Sequence, residues 1–233
     1  MGSYKKIGHR GAKGHLAENT LESISLALEM GVDAIEIDVH RCATGELVVI
    51  HDFTLDRTTN GEGEVSKFDL KYLKTLLVEG AYRIPTLTEV LDLVEGKCYI
   101  NIELKGLNTA AGACKIIGDY ISERNWKYSD FIVSSFQKNE LFEVYKNNPE
   151  IPIGVLSKAS VTEAIELGKL LKAKAIHPSM GIITRDNVKL THEMGFEVNV
   201  WTVNDPEAIQ RMQDFGVDAI ISDYPDRLKS EYI

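Results

Sequence analysis

Glu36 and Asp38 stand two residues apart in the run Ile35-Glu36-Ile37-Asp38-Val39. On a strand successive side chains alternate faces, so both carboxylates share one face and Ile35, Ile37 and Val39 take the other. Ile100-Asn101-Ile102-Glu103-Leu104-Lys105 repeats the pattern, with Asn101, Glu103 and Lys105 on one face. Carboxylates crowded together repel one another unless a cation or a base neutralises them. Three hard oxygen donors on rigid strands suit Mg²⁺ or Ca²⁺. Lys105 is a local positive charge of the kind an anionic substrate needs. The plainer accounts are an edge strand with solvent-facing acids and a structural Glu103–Lys105 pair.

The histidines divide by context. His9-Arg10-Gly11 directly follows the first strand-like run, and His51-Asp52 ends the third. A lone histidine at a strand end is usually structural. Two of them can serve as base and acid on opposite sides of a reacting centre, because imidazole titrates near neutral pH. Arg10 adds a planar fork of donors suited to phosphate oxygens. Two histidines, three carboxylates, an arginine and a lysine fit metal-assisted phosphoryl chemistry. No GxSxG elbow, Walker loop or GxGxxG fingerprint offers another chemistry. His15, His40 and His192 read as surface or structural. His177 ends a strand-like run before Pro178 and is open between lining the site and serving the core.

Positioning these groups requires a parallel sheet. Strand-length apolar runs at 6–9, 34–39, 47–51, 98–103, 131–135, 152–156, 173–177, 197–202 and 218–222 alternate with amphipathic stretches at 20–30, 87–94, 110–124, 138–147, 161–171, 185–194 and 206–215. Such alternation with short loops argues for a parallel sheet flanked by helices, and runs such as Phe131-Ile132-Val133 for strands buried on both faces. In 233 residues the pattern fits a (β/α)8 barrel better than an open doubly wound sheet. Residues 38–51 differ, because only a turn around Thr44-Gly45 joins two strand-like runs. Parallel strands need a longer crossover, so this pair is expected as an antiparallel hairpin with Asp38 opposite His51. Residues 53–83 form the longest stretch without a barrel strand and are expected to cross the barrel mouth as a small insertion.

Composition narrows the partners. The chain is 44% hydrophobic and 26% charged, with 26 basic against 35 acidic residues and a net charge of −9. Such a surface repels nucleic acid and anionic membranes. The apolar runs fall far short of the ~18 residues of a spanning helix, so no stable membrane insertion is expected. Cys42, Cys98 and Cys114 have no CxxC spacing and read as small buried thiols in a reducing setting. A cytoplasmic location is expected. Met1-Gly2-Ser3 is also compatible with a start left by cloning.

In order along the chain, His9-Arg10-Gly11, Glu18-Asn19-Thr20, Glu36-Ile37-Asp38-Val39 and His51-Asp52 resemble the glycerophosphodiester phosphodiesterase family. Leu55-Asp56-Arg57-Thr58-Thr59-Asn60-Gly61, Ile84-Pro85-Thr86-Leu87-Thr88-Glu89-Val90-Leu91, Glu103-Leu104-Lys105, Val200-Trp201-Thr202-Val203-Asn204 and Ile220-Ile221-Ser222-Asp223-Tyr224-Pro225 extend the likeness. Each motif is weak alone, but their order along residues 7–225 is specific. The resemblance implies one (β/α)8 TIM-barrel domain over residues 1–233, with a small insertion after the second-histidine strand, about residues 53–83. It implies hydrolysis of small-molecule glycerophosphodiesters to glycerol 3-phosphate and an alcohol. It further implies one divalent cation, Ca²⁺ or Mg²⁺, on Glu36, Asp38 and Glu103. His9 and His51 would be the acid–base pair, with His9 as base and His51 as acid. Arg10 and Lys105 would hold the phosphate, and Trp201 would wall the substrate pocket, unless it is an ordinary core tryptophan. Two alternatives stand beside this. A lysophospholipase D-like or sphingomyelinase D-like lipid phosphodiesterase would need exposed aromatics at the entrance. Of the insertion's Phe53, Phe68, Tyr72 and Tyr82, a core accounts for all more simply. A non-catalytic phosphodiester-binding barrel would be expected to lack one of the histidines or carboxylates.

Overall fold

Short β-branched runs form the strands of this chain, and the amphipathic stretches between them form helices. The computed structural model describes residues 4–228; the Met1-Gly2-Ser3 start lies outside them. In order the elements are β1 (Lys5–His9), α1 (Leu21–Glu29), β2 (Ala34–Arg41), β3 (Leu47–Val49), α2 (Leu70–Leu73), α3 (Leu87–Val94), β4 (Tyr99–Leu104), α4 (Ala110–Glu123), β5 (Phe131–Ser135), α5 (Lys138–Asn147), β6 (Ile153–Ser157), α6 (Val161–Leu171), β7 (Ala175–Pro178), α7 (Arg185–Glu193), β8 (Glu197–Val200), α8 (Pro206–Phe215) and β9 (Ala219–Ser222). Side chains of Thr20, Thr86, Ser160, Thr184 and Asp205 accept hydrogen bonds from backbone N–H groups in the first turn of α1, α3, α6, α7 and α8. Each satisfies a donor the helix itself leaves free.

The strands β1-β2-β4-β5-β6-β7-β8-β9 pair in parallel, and β9 pairs back to β1. This closes the expected (β/α)8 barrel and leaves β3 as an antiparallel excursion on β2. Outward residues Ile35, Ile37, Val39, Ile100, Ile102 and Val133 are fully buried against the helices. Each such aliphatic chain stabilises by about 1.5–3 kcal/mol. Inside, Ile7, Ala34, Ala219 and Ile221 fill the layer nearest the strands' N-terminal ends. A polar layer follows, in which the Ser134 hydroxyl donates to Asn101 (2.8 Å) and His177 Nε2 lies 3.0 Å from the Asn199 amide. His177 is completely buried in the barrel, and burial pushes its pKa down to about 3. It is a neutral interior group and does not line the mouth.

The hairpin register differs by one residue from the sequence expectation. Val39 pairs with Val49 and Arg41 with Leu47, and the Ile50 N–H donates to the Asp38 carbonyl at 3.0 Å. Asp38 therefore faces Ile50, and His51 lies one step beyond. The cause is a three-residue turn, Ala43-Thr44-Gly45, with Gly45 at φ 105° in the left-handed region. The Cys42 N–H donates to the Glu46 carbonyl at 3.0 Å and closes it.

Residues 53–83 build their own small core on this hairpin from Leu55, Val65, Leu73, Leu76 and Val78, packed on Cys42, Val48 and Ile50. Phe68 and Tyr82 join that core. Phe53 does not. It is 56% exposed, with its ring edge-on to His40 at 4.9 Å between centroids. The core explanation offered for the insertion's aromatics thus fails for Phe53. Tyr72 is also exposed, its ring tilted by 30° against Phe68 at 4.6 Å between centroids.

The loop leaving β4 for α4 is tied down from α5. Glu140, buried in the first turn of α5, accepts from the N–H groups of Asn108 (2.6 Å), Thr109 (3.0 Å) and Ala110 (2.9 Å) and from the Thr109 hydroxyl (3.1 Å). Truncating this carboxylate strands several buried donors at once. Glu140→Ala is expected to lower the free energy of unfolding by about 2–4 kcal/mol. Urea denaturation followed by circular dichroism measures it, and a change below about 0.5 kcal/mol would refute the bracing role.

Candidate active site

Strand register does most of the assembly. His9 pairs beside Glu36, Glu36 beside Asn101, and Asp38 beside Glu103. Period 2 then turns all the acids inward at the strands' C-terminal ends, the mouth of the barrel. Oxygen atoms of Glu36, Asp38 and Glu103 lie within 4.8 Å of one another, and all three residues are buried.

The segment after β1 wraps around this cluster. Arg10 takes a left-handed backbone conformation at φ 51°. That costs roughly 1 kcal/mol for a residue with a side chain. The conformation lets its N–H donate to Glu36 Oε2 at 3.0 Å, while its guanidinium Nη1 donates to Glu18 at 2.8 Å and its Nε sits 3.1 Å from Asp38 Oδ2. Gly11 follows at φ 82°, and a Cβ there would fall 2.6 Å from the Ser23 backbone. The glycine of the His-Arg-Gly motif is therefore a steric requirement of this turn. In the next motif Glu18 pairs with Arg10, and the Asn19 amide donates to Asp38 Oδ2 at 2.9 Å. Thr20 caps α1.

The two histidines are each held at Nδ1 by an aspartate. His9 Nδ1 lies 2.5 Å from Asp223 and His51 Nδ1 2.5 Å from Asp52. Asn204 braces Asp223 from both sides, accepting from its N–H at 2.9 Å and donating to its carboxylate at 2.7 Å. With Nδ1 engaged, Nε2 is the atom each ring has left for proton exchange. His9 Nε2 stands 3.9 Å from Glu36 Oε2. Lys105 Nζ is 2.8 Å from Glu103 and 3.7 Å from Asp38. Trp201 is half-buried just past β8; its indole N–H donates to the His177 carbonyl at 2.7 Å, and Phe136 meets its ring edge-on at 5.5 Å. All eight residues singled out from sequence thus stand at one end of the barrel. His40 is buried with Nε2 3.1 Å from the His51 carbonyl, whereas His15 and His192 pair with Asp226 and Asp218 near the surface. All three are structural.

The electrostatics separate the acids. Burial, then repulsion from Asp38 and Glu103, raises the Glu36 pKa well above the ordinary carboxylate range. Burial and Asp38 likewise raise Glu103, to about 7. Burial also works against the charged form of Asp38, but Arg10 and Lys105 outweigh it and keep this acid below its usual value. Burial lowers both His9 and His51. Asp223 is desolvated too, yet its bond to His9 holds it down to about 2. Glu36 Oε1 and Asp38 Oδ1 are buried and accept no hydrogen bond. Two unsatisfied carboxyl oxygens and a third carboxyl group beside them fit a hard divalent cation, whose ligands are carboxylate oxygens.

Sequence reasoning gave no role to Asp52, Asp223, Glu18, Asn19 and Arg57. Asp52 was flagged only by adjacency to His51. Asp223 follows the last barrel strand as His9 ends the first, and only closure of the barrel brings them together.

A family model described as the glycerophosphoryl diester phosphodiesterase family matches residues 9–227. A glycerophosphodiester phosphodiesterase of Caldanaerobacter subterraneus subsp. tengcongensis is 37% identical over 231 residues, spanning 95% of each chain. One from Bacillus altitudinis is 35% identical over 236 residues, spanning 96% of each. Among solved structures, a phosphodiesterase of Oleispira antarctica in complex with the product sn-glycerol-3-phosphate superposes with a TM-score of 0.88 at 30% identity, over 96% of this chain and 94% of that one. The barrel, the order of its motifs and these likenesses agree, and the chain belongs to the glycerophosphoryl diester phosphodiesterase family.

Proposed function

We propose that this chain hydrolyses glycerophosphodiesters to glycerol 3-phosphate and an alcohol, with His9 and His51 as the proton-transfer pair and a divalent cation on Glu36, Asp38 and Glu103. The observation that carries the reading is two aspartate-held histidines flanking three buried carboxylates at one barrel mouth. Arg10 and Lys105 offer the cationic donors for the phosphate oxygens. His9, buried and with its pKa lowered, is unprotonated near neutral pH and suits the base that takes a proton from the attacking hydroxyl or water at Nε2. His51 would hand a proton from Nε2 to the departing alkoxide, with Asp52 supporting the imidazolium at Nδ1. When bound, Ca²⁺ or Mg²⁺ would supply electrostatic stabilisation of the charge that develops on the phosphoryl oxygens.

Release of glycerol 3-phosphate from glycerophosphocholine tests the reading. Turnover should vanish in EDTA and return with Mg²⁺ or Ca²⁺. His9→Ala and His51→Ala should each reduce turnover by ~10²–10⁴ with the fold intact. Near-normal activity in either variant would sink the acid–base pair.

Protons and cation compete for the same acids. Glu103, at about 7, must lose its proton to act as a ligand, so cation affinity should rise with pH up through that value. Below it, affinity should fall about tenfold per pH unit for each proton displaced. The rise in Tm produced by Mg²⁺ or Ca²⁺ should therefore be larger at about pH 8 than at about pH 5.5. The opposite order would remove Glu103 from the ligand set.

The lipid reading keeps one observation in its favour. Phe53, Leu107 and Phe136, on the loops after β3, β4 and β5, are 56%, 65% and 38% exposed. They put apolar surface on the side of the barrel where the acids lie. Turnover of lysophosphatidylcholine faster than of glycerophosphocholine would establish that reading, and the reverse order the proposed one.

A further inference from the structure

Arg57 is the residue of the insertion that hydrogen-bonds Asp52, the partner of His51. It stands on the insertion loop two residues after the buried Leu55. Its Nε donates to Asp52 Oδ2 at 2.6 Å and its Nη2 to Asp52 Oδ1 at 3.1 Å. The same guanidinium reaches Glu18, with Nη2 at 2.6 Å from Oε1 and Nη1 at 3.3 Å from Oε2. Asp52 Oδ1 is the atom that faces His51 Nδ1, and Glu18 Oε1 also receives the Arg10 Nη1 bond. A continuous chain of charge-assisted bonds thus runs from His51 through Asp52, Arg57 and Glu18 to Arg10.

The geometry has a mechanical meaning. Asp52 neighbours His51 in sequence and sits three-quarters buried at the mouth, where its carboxylate is free to rotate unless something fixes it. A bidentate guanidinium fixes both the plane and the position of a carboxylate, which a lysine cannot do. Glu18, almost wholly buried, fixes the guanidinium in turn. All the bonds Arg57 makes go to carboxylates of this chain, and none goes to His51 or to the three clustered acids.

We propose that Arg57 is a positioning residue for the reaction: it locks Asp52 so that His51 is held at Nδ1 and keeps Nε2 aimed at the leaving oxygen, and it ties that aim to the phosphate-binding Arg10 through Glu18. The proposal rests on the reading of His51 as a proton-transfer group. It gives the insertion a part in catalysis.

The test is a double-mutant cycle on kcat for glycerophosphocholine, using the full chain with saturating cation. Arg57→Gln should lower kcat by about 10–100-fold, as losing the outer partner of a functional histidine does, with KM nearly unchanged. Arg57→Lys should recover only part of it. In a His51→Ala background Arg57→Gln should cost nothing further, because both changes act through one group. Multiplying losses would overturn the proposal, as would a KM increase that dominates, which marks a direct grip on the phosphate. Equal losses for Arg57→Gln in both backgrounds with a lowered Tm would reduce it to a staple of the insertion. The p-nitrophenyl ester of glycerol 3-phosphate separates this from the underlying reading. Its leaving group departs without a proton, so His51→Ala and Arg57→Gln should both be nearly silent on it. If His51→Ala is as damaging there as on glycerophosphocholine, the acid assignment falls, while the cycle still decides whether Arg57 works through His51.

Discussion

Three carboxylates packed into one buried spot set the terms for everything around them. At separations below 4.8 Å each charged pair repels by about 3–4 kcal/mol at an effective dielectric of about 20. A single hydrogen bond returns about 1 kcal/mol. No arrangement of neutral donors offsets such a cluster, so it must be met by cations or protons. The chain uses both. Arg10 bridges Glu18 and Asp38 and donates its N–H to Glu36, and Lys105 lies between Glu103 and Asp38. Burial and mutual repulsion still outweigh those cations at Glu36 and Glu103, whose pKa values are raised, whereas Arg10 and Lys105 together hold Asp38 down.

Barrel closure converts this local problem into a long-range one. His9 ends the first strand and Asp223 follows the last, 214 residues later, yet they share a 2.5 Å contact. That contact exists only because β1 pairs with both β2 and β9. The other dyad is built in the opposite manner. His51 and Asp52 are adjacent, and their geometry depends on a guanidinium from an insertion with its own small core. One histidine is positioned by global topology and the other by local packing. With His9 and His51 as the proposed proton-transfer pair, damage to the barrel seam and damage to the insertion should reach the chemistry through different rings.

Much of this was legible in the sequence, and what was not has a physical reason. Period-2 alternation around Glu36, Asp38 and Glu103 reported their shared face, because one-sided burial leaves that signature directly. The elements from Leu87 to Val94 and from Val161 to Leu171 were readable end to end, because their caps are threonine and serine. The hairpin register was not readable. A two-residue and a three-residue turn both accommodate Thr44-Gly45, and the choice shifts Asp38 from His51 to Ile50. Phe53 was misplaced because an aromatic beside a core looks the same in sequence whether it points in or out. The roles of Glu18, Arg57 and Asp223 were invisible for a deeper reason. Asp223 meets His9 across 214 residues and Arg57 meets Glu18 across 39, and no local spacing encodes pairings that tertiary packing creates.

The charge inventory of the mouth explains why an acidic protein would act on an anion. Arg10, Lys13, Arg57 and Lys105 face the six carboxylates of Glu18, Glu36, Asp38, Asp52, Glu103 and Asp223. With neutral histidines that leaves an excess of two negative charges, on a chain whose net charge is already −9. A phosphodiester approaching this surface would be repelled. One divalent cation cancels the local excess, and two protons do the same. Both demands fall on the same acids, because Glu36 and Glu103 are the groups whose protons are held most tightly. On the proposed function, cation and protons would be alternative occupants of one electrostatic deficit. A substrate anion gains from the first and not from the second, since a bound cation presents positive charge to it and a protonated acid presents none.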